Sequence, residues 1–107
     1  MNESAFETMA DRMLQHLFER IEADVDDLDA ELRGGILTLE LADGRQYVIN
    51  KHAPNRQIWM SSPVSGASHY AYDAAAGEWR STRDGASLTG RLADELATLT
   101  GARITFD

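Results

Sequence analysis

The stretch YVINKHAPNRQIWMSSPVSG, residues 47–66, contains two short β-type runs on either side of a turn that includes a proline. Its second run places Gln57 and Trp59 two residues apart, so both side chains lie on the same face of a strand. Ile58 and Met60 take the opposite face, which is the natural core face. The pattern therefore predicts a sheet that packs its apolar face on a second layer and leaves a glutamine and a tryptophan on its open face.

The flanking sequence extends this sheet. Apolar and polar residues alternate over residues 36–41, and Asp43-Gly44 is a strong hairpin signal that returns the chain into residues 47–50. Further strands are expected near residues 69–72 and 78–81. The predicted core face carries Leu37, Leu39, Leu41, Tyr47, Ile49, Ile58 and Met60. The predicted open face carries Thr38, Glu40, Val48, Asn50, Gln57 and Trp59.

Both ends of the chain have the periodicity of amphipathic helices. The first apolar stripe consists of Phe6, Met9, Ala10, Met13, Leu14, Leu17 and Ile21. Ser4 and Glu7 form an apparent capping box, the helix is expected to end at residues 22–24, and residues 24–31 resemble a polar connection. Ser87 is expected to cap a second helix that Gly101 ends, followed by RITF as a strand or tail. The stripe of this helix consists of Leu88, Leu92, Leu96 and Leu99.

This order predicts a single α+β domain over residues 1–107. The fold class is a two-layer α/β sandwich, with an antiparallel sheet of five to seven strands and two terminal helices packed on one face. The length of 107 residues and the hydrophobic content of 43% are sufficient for one core. No internal repeat or linker divides the chain.

Composition excludes several classes of function. The absence of cysteine excludes disulfides, thiolate metal sites and cysteine catalysis. No signal segment and no apolar run of membrane-spanning length is present, so we expect a cytoplasmic protein without membrane attachment. No nucleophile elbow or phosphate loop is present, and we expect a protein that is not an enzyme.

The net charge of −8 is concentrated near the N-terminus. Residues 1–31 carry ten acids against two arginines, whereas the rest of the chain is balanced. Such a surface disfavours nucleic acid as a partner and favours cations or a basic protein patch.

We call residues 19–31 the acidic segment. Its carboxylates are Glu19, Glu22, Asp24, Asp26, Asp27, Asp29 and Glu31. Glu19 and Glu22 are i,i+3 neighbours near a helix C-terminus, where the like-charge pair costs about 0.2–0.5 kcal/mol and the helix dipole adds to the repulsion. Carboxylates suit hard cations such as iron, manganese, calcium or magnesium, although the spacing does not fit an EF-hand. Composition alone leaves two interpretations open, which are an unselective metal site and a solvated face.

Several segments of the sequence resemble a known protein family. GGILTLEL at 34–41, GRQYVINKHAPNRQIWMSSPVSG at 44–66, Trp79, and DGASL at 84–88 resemble the frataxin family, and the acidic first helix resembles its bacterial branch, often called CyaY. The resemblance implies weak iron binding by an acidic ridge and a role in iron–sulfur cluster assembly. It also implies two partners, the cysteine desulfurase and the scaffold protein.

The resemblance assigns residues to both roles. The metal candidates are the carboxylates of the acidic segment, which would hold Fe2+ or Fe3+ weakly and accept other cations. The partner-binding candidates are Asn50, Lys51, Gln57 and Trp59, because an exposed tryptophan beside amides is typical of an interface hot spot. Arg56 and Arg45 are expected near the same face. Trp79 is expected in the core, and His16, His52 and His69 are expected to form no ligand set.

With the acidic segment, the resemblance implies an iron-binding accessory protein that regulates iron–sulfur cluster assembly or supplies its iron. The expected state is a monomer, with oligomerisation by iron left open. Two alternatives remain. One is an acidic protein-binding module without a metal role, and the other is a ferroxidase or iron-storage protein, since a slow carboxylate-assisted oxidation of ferrous iron is conceivable.

Overall fold

The computed structural model describes residues 1–106 and consists of a helix, six strands and a helix. The elements are α1 Glu3–Asp24, β1 Leu28–Arg33, β2 Ile36–Leu41, β3 Gln46–His52, a 3-10 turn Ala53–Asn55, β4 Gln57–Ser62, β5 Gly66–Asp73, β6 Glu78–Ser81 and α2 Leu88–Thr100. The six strands pair antiparallel in chain order, and both helices pack on one face of the sheet. The predicted two-layer fold is confirmed. Within residues 1–106, no helix is long and apolar enough to cross a membrane.

The core lies between the helices and the apolar face of the sheet. All seven residues predicted for the core face are buried: Leu37, Leu39, Leu41, Tyr47, Ile49, Ile58 and Met60. The helices contribute Phe6, Ala10, Leu14, Leu17 and Ile21 from α1 and Leu88, Leu92 and Leu96 from α2. Trp79 is also buried, as predicted, and its ring meets Phe6 edge-on with centroids 6.0 Å apart.

The predicted capping box at the start of α1 is wrong. Asn2 is the N-cap, and its side-chain oxygen accepts a hydrogen bond from the Ala5 N–H at 2.7 Å. The Glu7 carboxylate instead forms an ion pair with Lys51 on β3. A long-range partner thus replaces the local one that the Ser4-to-Glu7 spacing suggested.

The expectation of a polar connection over residues 24–31 is also wrong in part, since β1 begins at Leu28. Leu28 is buried opposite Leu41, while Asp29 and Glu31 are exposed. Because β1 is an edge strand, charges on its solvent side are compatible with pairing and protect the edge from association. The strand was not predicted because its acidic residues made the alternation of apolar and polar residues over 28–33 look like a polar loop.

Residues 103–106 form a tail and not a strand. Ile104 and Phe106 are buried against the helices. His16 donates a hydrogen bond to the Phe106 carbonyl, and the Arg20 Nε donates to the Thr105 carbonyl at 3.2 Å. His16 is therefore half-buried and holds the tail on α1.

A polar network joins α2 to the sheet. The Tyr47 hydroxyl donates to Glu95 Oε1 at 2.7 Å, and the Ser62 hydroxyl donates to the same oxygen at 2.6 Å. The Ser62 oxygen also accepts from the backbone N–H groups of Val64 and Ser65. Glu95 thus fixes the register of α2 over β3 and the turn after β4.

This network predicts that the stability of the fold depends on pH in the alkaline range. Burial, and then the hydrogen bond to Glu95, raises the pKa of Tyr47 above its ordinary value. The folded state therefore keeps the proton when the unfolded chain loses it near pH 10, so the free energy of unfolding falls as pH rises beyond that point. We expect Tyr47→Phe to show a smaller fall than the wild type between pH 9 and pH 11 in urea unfolding. Equal falls in the two proteins would contradict this role of Tyr47.

Candidate functional site

The acidic segment lies along the end of α1, the connection to β1 and the edge strand itself. All seven of its carboxylates are on exposed residues, while Val25 and Leu28 are buried between them and anchor the backbone. Asp24 pairs with Arg20 at 2.9 Å and Glu31 pairs with Arg33 at 3.2 Å. No basic residue lies in the last turn of α1, so the negative end of the helix dipole adds to the local potential.

Strand pairing brings one further acid to this surface. Asp29 lies directly opposite Glu40 in the β1–β2 register, and Glu31 lies opposite Thr38. These residues border an open groove of about 520 Å³ on the sheet face away from the helices. Alternation placed Glu40 on the open face, but only the register of the unpredicted β1 shows that it neighbours the acidic segment.

The donor set fits a loosely bound hard cation. Among the residues that the structure describes, no three acidic or histidine side chains lie close enough together to form a ready metal cage. Exposed carboxylates spread along a helix end and a strand instead suit a cation that keeps part of its water shell. A cation bound there would have oxygen ligands only.

The Asp29–Glu40 pair predicts a gain in stability on neutralisation. Like charges directly opposite in a sheet are destabilising, by roughly 0.2–1 kcal/mol. We expect Asp29→Asn to raise the free energy of unfolding by about that amount at low salt, and by less at high salt where the repulsion is screened. The matched control is Asp26→Asn, which removes the same charge from the connection before β1. Thermal unfolding at both salt concentrations measures the difference, and equal effects of the two variants would contradict a specific cross-strand repulsion.

The open face of the sheet carries a second candidate surface around Trp59. Asn50, Trp59 and His69 lie side by side in register across β3, β4 and β5. The indole is stacked between two imidazoles, with ring centroids 3.7 Å from His52 and 4.2 Å from His69 and interplanar angles of 10° and 13°. The Trp59 Nε1–H donates to the Gln57 side-chain oxygen at 2.8 Å. We call His52, Trp59 and His69 the Trp59 stack.

The stack holds the indole in one orientation. A ring packed on both faces and hydrogen-bonded at its nitrogen is half-buried before any partner arrives. Less side-chain freedom is then lost on association, which favours a pre-organised contact. The structure thus brings Asn50, Gln57 and Trp59 together as predicted, and it adds His52 and His69. Strand alternation places His52 beside Asn50, but the role of His69 depends on the β4–β5 register.

Lys51 does not lie on this face, and its predicted position is wrong. It shares the helix-side face with Tyr47 and Ile49, and its ammonium pairs with Glu7 and, at 2.9 Å, with Asp11 of α1. The hydrogen bonds to Glu7 and then Asp11 raise the pKa of Lys51. Its side chain also crosses Gly35, where an added Cβ would come within 2.6 Å of the Lys51 chain. Lys51 therefore ties α1 to β3, as the alternation from Tyr47 would have predicted.

The two arginines expected near the open face have intramolecular partners. Arg45 pairs with Asp43 at 2.8 Å within the β2–β3 hairpin. Arg56 adopts a left-handed backbone conformation with φ 53° at the end of the 3-10 turn, and its guanidinium donates to the Ala53 carbonyl. Both arginines are therefore already paired within the chain.

The two-layer sandwich, the exposed acidic segment at one edge and the pre-formed Trp59 stack together define a small acidic domain with two chemically distinct surfaces. A family model described as a frataxin-like domain matches residues 1–102. The chain belongs to the frataxin family and is a CyaY-like member of it.

Individual relatives agree with this membership. The chain is 40% identical over 109 residues to mitochondrial frataxin of Arabidopsis thaliana, covering 97% of this chain. It is 32% identical over 104 residues to the iron-sulfur cluster assembly protein CyaY of Neisseria meningitidis serogroup B, covering 97% of this chain and 94% of that protein. The chain spans about half the length of the mitochondrial relatives, at 58% of the Arabidopsis protein and 45% of the Schizosaccharomyces pombe homologue.

Solved structures show the same architecture. The frataxin of Psychromonas ingrahamii superimposes with a TM-score of 0.90 at 29% identity, covering 100% of this chain and 99% of that one. Trimeric frataxin from Saccharomyces cerevisiae complexed with ferrous superimposes with a TM-score of 0.70 at 39% identity, covering 94% of this chain and 88% of that one.

Proposed function

We propose that this protein is an iron-binding accessory factor of iron–sulfur cluster assembly, which binds the cysteine desulfurase and scaffold complex and regulates its rate or supplies its iron. The observation that carries the proposal is the presence of two separate surfaces on one sheet. The acidic segment lies at the β1 edge, and the Trp59 stack lies across β3, β4 and β5. The Neisseria relative is an iron-sulfur cluster assembly protein by name. The cytoplasm is the proposed location.

Iron would be held by carboxylates of the acidic segment together with Glu40. The Asp29–Glu40 pair is the best-placed starting point, because the register already sets these two residues opposite each other. A cation there removes a like-charge repulsion, so binding is coupled to stability. The yeast frataxin complexed with ferrous supports iron as the cation.

The two surfaces suit different partners. The acidic segment would dock on a basic patch of the desulfurase, through an attraction that speeds association and weakens with salt. The Trp59 stack, with Asn50 and Gln57, would contact the scaffold by burying the indole. Iron in the acidic segment lowers the negative charge of that surface and thereby changes the first encounter.

The test is desulfurase binding by a triple variant, Asp26→Asn, Asp27→Asn and Asp29→Asn, with and without ferrous iron. We expect this variant to lose both the binding and its dependence on iron. The matched control is Glu3→Gln, Glu78→Gln and Asp94→Asn, which removes three acids outside the acidic segment and should bind as the wild type does.

The alternatives predict different results in this binding experiment and in parallel measurements of oligomeric state and oxygen consumption. If wild-type binding is strong but independent of iron, the protein is a binding module without a metal role. If iron instead produces oligomers and catalysed oxygen consumption, the ferroxidase or storage function replaces the proposal. The trimeric structure of yeast frataxin is a precedent for the oligomers that the storage function predicts.

A further inference from the structure

A polar cleft lies at the edge of the sheet away from the acidic segment. β5 has eight residues, but β6 pairs only with its second half, from Tyr70 to Asp73. The first half of β5 therefore lacks a neighbouring strand on that side. The loop after β6 approaches it instead, and the Thr82 N–H donates to the His69 carbonyl at 2.9 Å. The space left between them is a cleft of about 330 Å³.

The lining of this cleft is rich in hydrogen-bond donors. Hydroxyl side chains and guanidinium groups predominate, and they include Ser65, Ser68, Ser81, Thr82, Arg83 and Arg91. Two arginines against the single carboxylate of Asp84 give the lining a net positive charge, in a chain whose net charge is −8. Such a local reversal of charge in an acidic protein points to a ligand that is itself negative.

Arg91 is held in place by the surrounding side chains. Its guanidinium pairs with Asp84, and its Nη1 donates to the Tyr70 hydroxyl at 3.3 Å. Tyr70 is fully buried and also accepts from the Ser68 hydroxyl at 2.9 Å. A guanidinium has five N–H donors in a planar fork, so these two contacts leave donors available. Asp84 remains ionised at neutral pH, since the Ala86 N–H and then Arg91 lower its pKa to about 2.

The cleft is electrostatically separate from the acidic segment. β1 and β6 are the two outer strands of a six-stranded sheet. Five strand spacings of about 4.8 Å separate them, which is well beyond the Debye length of about 8 Å at physiological salt. The excess of acids at the β1 edge therefore does not cancel the positive lining of the cleft.

We propose that this cleft binds a small oxyanion, in the form of a phosphate or a carboxylate-bearing molecule. Arg91 supplies the fixed guanidinium fork that matches a planar or tetrahedral oxyanion, and the exposed Arg83 adds a second positive charge to the lining. The Ser65 and Thr82 hydroxyls complete the set of donors, since the Ser68 hydroxyl already donates to Tyr70. The cleft adjoins the Trp59 stack through His69, which lines the cleft and packs on the indole, so Trp59 reports on occupancy.

The test is an amide NMR titration of the labelled protein with inorganic phosphate and, separately, with citrate, at constant ionic strength. We expect saturable shifts confined to residues 65–69 and 81–85 and a parallel change in Trp59 fluorescence. If only one probe saturates, it identifies the oxyanion class and supports the site. Shifts that follow ionic strength, spread over the chain and reproduced by chloride would overturn the proposal.

Three variants sharpen this test. Arg83→Gln is expected to weaken binding about tenfold, through the loss of one charge-assisted contact. Arg33→Gln is the matched control, because it removes the same charge from the β1 edge and should leave the affinity unchanged. Arg91→Lys keeps the charge but loses the fork, and is expected to weaken binding while thermal unfolding confirms that it folds. Wild-type affinity in both Arg83→Gln and Arg91→Lys would contradict the site.

Discussion

Trp59→Ala is expected to weaken the proposed binding to the scaffold by about 30-fold or more, the size of effect produced by truncating a central hot-spot aromatic worth about 2 kcal/mol. The indole is pre-positioned by His52 and His69 and by the hydrogen bond to Gln57, so its removal takes away both contact area and pre-organisation. Calorimetric titration of the scaffold measures the loss.

Two further variants separate binding from folding. Trp59→Ala loses two stacking contacts worth about 1–3 kcal/mol in total, together with the buried area and the hydrogen bond to Gln57, so thermal unfolding is measured to establish that the variant is folded. Trp59→Phe keeps a stacked ring and should retain part of the affinity. Thr38→Ala changes the same open face two strands away and should bind as the wild type does. A folded Trp59→Ala protein with unchanged affinity would show that the stack is not the scaffold surface.

Phe6→Ala is expected to produce the largest loss of stability, about 3–5 kcal/mol. Phe6 is fully buried and packs edge-on against Trp79, which in turn packs against Tyr72 with centroids 5.4 Å apart. This aromatic cluster joins the first turns of α1 to β5 and β6, at the opposite sheet edge from β1. At about 4 °C or more per kcal/mol, the expected fall in melting temperature exceeds 10 °C.

The matched control for this variant is Phe18→Ala. Phe18 lies on the same helix and has the same side chain, but it is only partly buried. Its replacement leaves a smaller cavity and should cost clearly less. Equal losses in calorimetric unfolding of the two variants would contradict the assignment of Phe6 as the anchor of α1.

The sheet, and the face on which each side chain lies, could be predicted because apolar and polar residues alternate along each central strand. Tyr47 and Ile49 face the helices as expected, and Gln57 and Trp59 face outward. β1 could not be predicted, since an edge strand with charges between Leu28 and Leu32 reads as a loop. The local capping signal at Ser4 failed because Glu7 has a distant partner in Lys51.

The candidate site could be predicted in residue type but not in arrangement. The carboxylates of the acidic segment all lie within thirteen residues of sequence, so their clustering is visible without a structure. Glu40 joins them only through the β1–β2 register, and His69 meets Trp59 only through the β4–β5 register. Contacts between strands depend on pairing, which short-range patterns do not specify. The position of Lys51 could have been predicted correctly, because alternation from Ile49 places its side chain on the face of the sheet that packs against the helices.

The proposed iron site is tested most directly by an anaerobic titration of the labelled protein with ferrous iron, followed by amide NMR. Paramagnetic signal loss confined to the acidic segment and the neighbouring residues around Glu40 is the predicted result. Asp29→Asn should weaken that loss near β1, whereas Asp94→Asn on α2 should leave it unchanged. The absence of any localised loss at millimolar iron would contradict the account and leave the acidic segment as a docking surface alone.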